Sequence, residues 1–428
     1  MFDGSASRRE FMKAAVAAGG AAALSACLDR APTAPVPGGT TDYDSLPERQ
    51  HAWNDFTRRD EYDNVELPSH QVLLYLTLDG DGAPTDGDRQ TVEESLRVLD
   101  RAYQRSNEGL LWSIAYSPRY FSRFDEPLPS SLDLPEPRAL SSFETPELDR
   151  QDALVHLASD RAEVVLEAEQ ALFGEVESAN GVEVDIDLSS VFSVDSRRTG
   201  FVGVGLPAEK QSNLNGIPNG NPVPDESPLF MGFKAGFSKN QATEDYVTLT
   251  DGPFAGGTTK HVANIRQRLA DWYDEEDYYH RVMKLFSPGH AEGELVDGVG
   301  NNLGDDSGID AMFDRIRDDA REFGHVGHAQ KAARANRDEE GNVKLLRRHF
   351  ESADDGVASL HFPSLQRGIS DFEAVREAMN GSDLTDIPTI RQRVNNGILE
   401  YLFVKHRGNF LVPPRSLRAL PTPTGEAP

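Results

Sequence analysis

The sequence predicts an α+β fold that consists of two ferredoxin-like domains, each an antiparallel sheet with helices on one face. Three observations support this prediction. Short apolar stretches typical of strands alternate along the chain with stretches of helical apolar spacing. In the first half their order is strand, helix, strand, strand, helix, strand, which is the order of a split β-α-β unit. The second half repeats this order less regularly.

The first half contains the clearer pattern. Continuous apolar stretches predict strands at residues 72–78, 110–116, 153–157 and 201–204. Helical spacing of apolar residues predicts helices at residues 88–103 and 161–172. In the first of these helices, Val92, Leu96 and Leu99 lie on one face.

The second half has the same kinds of element with a polar insertion between them. Strands are predicted at residues 245–250, 258–265, 345–350, 357–362, 402–404 and 409–412, and helices at residues 275–285, 309–323 and 371–379. Residues 289–306 are polar and rich in glycine, which predicts an exposed loop.

The start of the chain has the pattern of an export signal. Arg8 and Arg9 precede a short, weakly apolar segment at residues 14–23, which is too short to span a bilayer. Adjacent arginines in this position indicate the twin-arginine pathway, which exports folded proteins. Leu24-Ser-Ala-Cys27 resembles a lipobox, and we expect lipidation of Cys27 and anchoring to the outer face of the cell membrane. The alternative is a chance cysteine beside an ordinary cleavage site.

Composition divides the rest of the chain into a linker and two domains. Residues 1–27 are predicted to be the twin-arginine lipoprotein signal, and residues 28–60, rich in Pro, Gly, Thr, Asp and Arg, a flexible tether. A polar stretch at residues 211–227 predicts a boundary between an N-terminal domain at 61–228 and a C-terminal domain at 229–428. Because Cys27 is the only cysteine, the folded body has no disulfide, cysteine metal site or thiol nucleophile.

The charge balance is strongly acidic. The formal net charge is -28, from 71 acidic and 43 basic residues, and only nine of the basic residues are lysine. Such a surface stays hydrated at high salt, where charge repulsion is screened, and it indicates a halophile. No basic stripe is present, which argues against a nucleic-acid partner.

Histidines and arginines of the second half are candidates for chemistry. His325 and His328 are three residues apart, but no glutamate completes a zinc-protease motif. One of them could ligate a heme iron, although the spacing alone favours two partly exposed loop histidines. Arg347 and Arg348 follow on a predicted strand. A fixed guanidinium facing a heme can stabilise negative charge on a cleaving peroxide bond; the alternative is a pair of surface arginines.

Six blocks between about residues 111 and 414 resemble the dye-decolorizing peroxidase family of heme proteins. The blocks are Leu110–Phe121; Phe230-Met-Gly-Phe-Lys-Ala-Gly236, similar to Gly-Phe-x-Asp-Gly; Gly256–Arg266 with Leu269 and Trp272; Leu345-Leu-Arg-Arg348, similar to Ile-Leu-Arg-Arg; Val357–Arg367, similar to a strand ending in Phe-Gln-Arg; and Phe410-Leu-Val-Pro-Pro414, similar to Phe-Ala-Val-Pro-Pro. The resemblance implies two ferredoxin-like halves of the dimeric α+β barrel type.

The resemblance also implies a cofactor and site residues. It implies heme b with His328 as the iron ligand and His325 as the competitor, since the spacing to the 345–347 block favours His328. It further implies Arg347 as the distal arginine and Phe410 as a heme-packing aromatic.

Two residues depart from the family pattern. The signature aspartate, an acid–base group, is replaced by Ala235, and the arginine after the proximal histidine is replaced by Gln330. His349, close to Arg347 in sequence, is a candidate for the missing proton role.

The implied function is an exported peroxidase-like oxidoreductase that uses hydrogen peroxide and an unidentified reducing substrate. The alternatives are a heme-binding protein for transport or iron acquisition and a non-catalytic surface lipoprotein of the same fold.

Overall fold

The computed structural model describes residues 34–425 and contains two ferredoxin-like units. The first consists of β1 (His70–Leu78), α1 (Asp86–Ala102), β2 (Leu111–Tyr116), β3 (Ala153–Ser159), α2 (Ala162–Leu172) and β4 (Phe192–Phe201). Its antiparallel strands lie in the order β4-β1-β3-β2. This is the predicted split β-α-β topology.

The second unit has the same topology with longer connections. It consists of β5 (Thr258–Gln267), α3 (Tyr278–Leu285), α4 (His328–Ala333), β6 (Leu346–Arg347), β7 (Phe350–Ser352), β8 (Ser359–Gln366), α5 (Ile369–Asn380) and β9 (Leu402–Val412). The strands lie in the order β7-β8-β5-β9, with β6 paired to the end of β8. The fold class predicted from sequence is therefore confirmed.

Shorter elements complete the described chain. Short helices lie at Pro118–Phe121, Leu206–Lys210, Glu244–Val247, Ala270–Asp274, Pro288–Glu292 and Ile316–Glu322. Short strands pair as Arg58–Arg59 with Val65–Glu66 and Ser178–Ala179 with Val182–Glu183, and Glu147–Leu148 pairs with β9. Across residues 34–425, no helix combines the length and hydropathy that a membrane span requires.

The two sheets join edge to edge into a closed barrel. At the first seam β7 pairs with β4 through Glu351 and Phe201, and at the second seam β9 pairs with β2 through Leu411 and Tyr116. Closure removes the sheet edges that would otherwise be left unpaired. Each seam is one residue pair long, so the barrel is formed by two sheets that touch narrowly at both ends.

Apolar side chains from both sheets fill the space between them. This inner core consists of Leu73, Tyr75, Ala115, Leu154, Val262, Phe350, Phe410 and Val412, all of them buried. Helices cover the outer faces. Helix α1 begins at a capping box, in which the Thr85 hydroxyl accepts from the Asp88 amide, and it buries the predicted face of Val92, Leu96 and Leu99.

The structure corrects several predicted elements. The strand predicted at 201–204 is β4, which ends at Phe201 and begins at Phe192. Residues 245–250 were expected to be a strand, but Glu244–Val247 is a helix, capped by the Thr243 hydroxyl. The loop predicted at 289–306 contains most of the helix Pro288–Glu292 and buries His290. The start of β4 was missed because the strand contains polar residues. The helix Glu244–Val247 was missed because it is short and is marked only by its cap, Thr243.

The N-terminal segment is also corrected. Residues 34–60 pack on the barrel, and Trp53 is 1% exposed. The Gln50 side chain accepts from the Ile114 amide at 3.0 Å and donates to the Pro413 carbonyl at 2.8 Å, so it bridges both sheets at the second seam. Such satisfied, buried amides are incompatible with a free tether. The predicted signal at 1–27, including Cys27, and residues 28–33 lie outside the described residues. The boundary predicted after residue 228 falls in the connection between β4 and β5.

Candidate functional site

A large cleft opens beside the first seam of the barrel. Its volume is about 2010 Å³, above the usual range for small-molecule sites. The N-terminal segment forms one wall, and β6 with the residues after it forms another, so that Arg347 and His349 both border the cleft. Ala235 and Gln241 border it from the connection between the two units.

Arg347 is held in place by Gln241. The Gln241 side-chain oxygen accepts from the Arg347 backbone amide at 3.2 Å and from Nε at 3.1 Å, and its amide group donates to the Arg347 carbonyl at 3.0 Å. Burial, and then Arg337, lowers the pKa of Arg347 to about 10, so the guanidinium remains cationic at neutral pH. Within residues 34–425 no carboxylate pairs with it, and its charge is available to a ligand.

His349 lies two residues further along and is buried. Its ring stacks on Phe362, with centroids 5.8 Å apart and an interplanar angle of 16°. Burial and the charge of Arg347 lower the pKa of His349 to about 3, so the ring is neutral. Its Nδ1 has no hydrogen-bond partner among the described residues. His349 is thus a neutral imidazole that borders the same cleft as Arg347.

His328 is the first residue of α4 and is half-buried. Burial is the largest cause that lowers its pKa to about 3, followed by the charges of Lys331 and Arg347. Its Nδ1 is buried without a hydrogen-bond partner within residues 34–425. The Lys331 ammonium anchors this helix by donating to the Met379 and Asn396 carbonyls at 2.7 and 2.8 Å. His328 is therefore a neutral imidazole, and it does not border the cleft.

His325 occupies a different environment. Its ring is half-buried and lies edge-on to His280 at 6.0 Å. Burial lowers its pKa, with smaller effects of Lys284 and His280. Of the two candidate ligands, His328 is the one whose pKa is lowered by Arg347.

Phe410 does not lie with these residues. In the register of the second sheet Phe410 pairs with Lys260, whereas Arg347 pairs with Ser364, which in turn pairs with His261. Neighbouring positions of a strand face opposite sides, and Phe410 is in the inner core against Tyr75. Phe410 therefore faces the inner core, whereas α4, the helix of His328, packs through Ala332 against Phe362 on the opposite face of the sheet.

An apolar cluster lies on the outer face of the second sheet, opposite to the inner core. Phe362 of β8 packs there with Leu345, with Ala332 of α4, and with Phe372 and Val375 of α5. The buried, partner-free Nδ1 of His328 fits a heme, which needs a single protein ligand. Among residues 34–425 no three His, Cys, Asp or Glu side chains are grouped to hold a metal ion on their own.

Two features of the site were not predicted from sequence. The first is Gln241, because no sequence motif indicates that it holds Arg347. The contribution of residues 47–66 to the cleft wall was missed because this segment was assigned to a tether.

Comparisons with known proteins place the chain by family and by fold. Residues 68–414 match the model of a family of unknown function, DUF7405. Comparison with curated proteins gave no match. Among solved structures, a dye-decolorizing peroxidase from Bacteroides thetaiotaomicron superposes with a TM-score of 0.53 at 12% identity, covering 87% of this chain and 100% of that chain.

Two further structures agree. A dye-decolorizing protein from V. cholerae superposes with a TM-score of 0.51 at 14% identity, and the match covers 85% of this chain and 97% of that chain. A DypB variant from Rhodococcus jostii in complex with heme has a TM-score of 0.51 at 16% identity and covers 86% and 97%. The chain belongs to the DUF7405 family of unknown function, and its fold is that of the dye-decolorizing peroxidases.

Proposed function

We propose that this protein is an exported, heme-dependent oxidoreductase that uses hydrogen peroxide. One observation carries the proposal: the buried Nδ1 of His328 has no hydrogen-bond partner among the described residues, while Arg347, which pairs with no carboxylate there, borders a large cleft. The shared fold supports it, since one neighbour of the same fold is a complex with heme.

The roles follow from the charge and protonation of each side chain. His328 would hold heme b, and bound heme would supply the redox chemistry that couples peroxide reduction to oxidation of the reducing substrate. Arg347 would bind peroxide as a permanent cation and stabilise negative charge on the leaving oxygen. His349, a neutral imidazole that borders the same cleft, would take the peroxide proton at its free ring nitrogen and return it to the leaving oxygen.

The transfer of the peroxide proton is the step that distinguishes this function from an alternative one. Ala235 leaves the cleft without the carboxylate that the family pattern places there, and an alanine carries no proton. This observation favours a second candidate: a protein of the same fold that binds heme for transport or iron acquisition without turning over peroxide. The two candidates share the heme and differ in the fate of peroxide.

Heme ligation is tested by reconstitution with hemin. We expect the wild-type chain to develop the Soret band of histidine-ligated heme, and His328→Ala to lose it. The matched control is His325→Ala, three residues away and also half-buried, which should keep the band. A band that survives in His328→Ala and disappears in His325→Ala would overturn the ligand assignment. A wild-type chain that stays colourless would overturn both heme functions.

Peroxide turnover with a dye substrate separates the two heme functions. In the peroxidase, Arg347→Leu should keep the Soret band and lower kcat/KM for peroxide by about 10²-fold or more, because one preorganised donor is worth about that much. His349→Phe, which keeps the stacking on Phe362, should lower kcat with a smaller effect on heme affinity. Stoichiometric heme binding with no turnover in the wild type would instead support the binding protein.

Export and anchoring are part of the same proposal. The twin arginines and Cys27 support delivery of a folded, cofactor-loaded protein to the outer face of the membrane. Cys27→Ser should release the protein from membranes into the soluble fraction without changing its spectrum.

A further inference from the structure

The interior of the barrel contains a small cavity that is separate from the cleft. Its volume is about 10 Å³, which is the space of one water-sized particle. Lys260, Arg348, Ser113 and His51 line it, and each of them is at most 4% exposed. We refer to this space as the barrel cavity.

Lys260 is an unusual residue for the inside of a barrel. It lies on β5, on the face that carries the inner core, and is 3% exposed. Its ammonium donates to His156 Nδ1 at 3.0 Å, while His156 Nε2 donates to the Gln71 side-chain oxygen at 2.7 Å. Because Nδ1 accepts, His156 is neutral and gives no charge compensation. Within residues 34–425 Lys260 forms no ion pair.

Arg348 adds a second cation to the same cavity. Its Nη2 donates to the His51 carbonyl at 2.7 Å and to Glu244 at 2.5 Å, and its guanidinium lies over the Trp53 ring at 4.4 Å. Its Nε is buried with no hydrogen-bond partner among the described residues. Glu244 therefore compensates Arg348, and an unmet N–H donor remains beside the uncompensated Lys260.

We propose that the barrel cavity is a binding site for one small monovalent anion of the halide class, such as chloride. Lys260 Nζ, Arg348 Nε and the Ser113 hydroxyl supply hydrogen-bond donors, and no carboxylate lines the cavity. An uncompensated buried ammonium is costly, and an anion between the two cations removes both that cost and their repulsion. The site does not depend on heme or on the proposed peroxidase function.

A water molecule beside a neutral Lys260 is the competing occupant. The His51 Nε2 lies 2.8 Å from the Thr248 hydroxyl, which itself donates to the Glu244 carbonyl, so His51 donates at Nε2 and its Nδ1 is a free acceptor. A water could donate to that nitrogen, and a halide could not. Burial and Arg348 lower the pKa of Lys260 to about 7, which makes the neutral amine accessible. The experiment must therefore distinguish an anion from water.

Crystals of the full chain grown in sodium bromide make this distinction. We expect an anomalous bromine peak in the barrel cavity, within about 3.5 Å of Lys260 Nζ, a distance suited to an N–H donor and a halide. Density that shows no anomalous signal and refines as water would overturn the proposal. This measurement uses the wild-type protein and does not depend on how any variant folds.

Chloride-dependent stability provides the second readout. With sodium held constant and gluconate replacing chloride, the wild-type thermal midpoint should rise by several degrees between about 10 mM and about 2 M chloride. Lys260→Met should lose this dependence. The matched control is Lys331→Met, because Lys331 is also a buried lysine but donates only to protein oxygens. It should be destabilised and keep the chloride dependence. An unchanged chloride dependence in Lys260→Met would overturn the proposal.

Discussion

At the scale of single residues, the interior of this protein contains several buried ionisable groups. Glu351 is the clearest case at the first seam. It is 1% exposed, accepts from the Phe230 amide at 2.8 Å, and has one carboxyl oxygen that is buried without a partner in the described chain. Burial raises the pKa of Glu351 to about 8. The folded state therefore binds this proton more tightly than the unfolded chain does.

The sign of the resulting pH dependence follows from linkage. Stability from this group is complete below about pH 4.5 and is lost as the pH rises through about 8, because the folded chain holds a proton that the unfolded chain has released. The Glu351 contribution to the free energy of unfolding should fall across this window by up to about 5 kcal/mol, against the rise that the buried neutral histidines give up to about pH 6.5. Glu351→Gln, which keeps the acceptor for Phe230, should remove this component in urea titrations at several pH values.

The control is an exposed carboxylate. Glu126→Gln should leave the pH profile of the wild type unchanged. If the stability profiles of Glu351→Gln and the wild type run parallel between pH 5 and pH 8, Glu351 does not contribute the predicted pH dependence.

At the scale of elements, the sequence was sufficient to predict the bounds of an element where one face is apolar and a capping residue marks its end. Helix α1 has both signals, an apolar stripe and a capping box at Thr85, and its predicted bounds differ from the observed ones by a residue or two. Strand β4 has neither. Its centre, Asp195 to Arg198, is polar, because Arg198 pairs with Asp149 and Arg197 with Glu169. Tertiary ion pairs of this kind leave no periodic trace in the sequence.

The site shows the same division. His328, Arg347 and Ala235 were identified by resemblance to a family motif, and the structure places Arg347 and Ala235 at one cleft. The orientation of Phe410 depends on its register with Lys260, which is set by strand pairing and not by the motif that contains it. Gln241 holds Arg347 from a loop 106 residues away. Contacts of that separation require the folded topology.

At the scale of the whole molecule, stability depends on two seams that are each one residue pair long. Gly200 lies at the first seam, next to Phe201. A methyl group on Gly200 would lie 2.2 Å from the Glu351 carbonyl and 2.3 Å from the Phe350 ring. Only a residue without a side chain lets the two sheets approach this closely.

Gly200→Ala should therefore open the first seam. We expect a loss of about 3 kcal/mol in urea denaturation, because neither the backbone nor the buried ring can move aside without strain. Gly82→Ala is the matched control, since a methyl group there meets nothing within 4 Å, and its effect should stay within about 0.5 kcal/mol. Equal stability of the two variants would show that the seam tolerates a wider separation.

Residues 48–50 and residues 413–415 meet at the second seam. Gln50 donates to the carbonyl of Pro413, which lies 363 residues further along, and the Arg415 amide donates to the Glu48 carbonyl at 2.6 Å. During synthesis the ribosome completes residues 47–50 long before their partners exist. This part of the barrel can therefore close only once residues 413–415 have left the ribosome, and a chain that stops before them lacks the residues that complete it. The docking event joins segments 363 residues apart, which makes it a late step in assembly of the barrel.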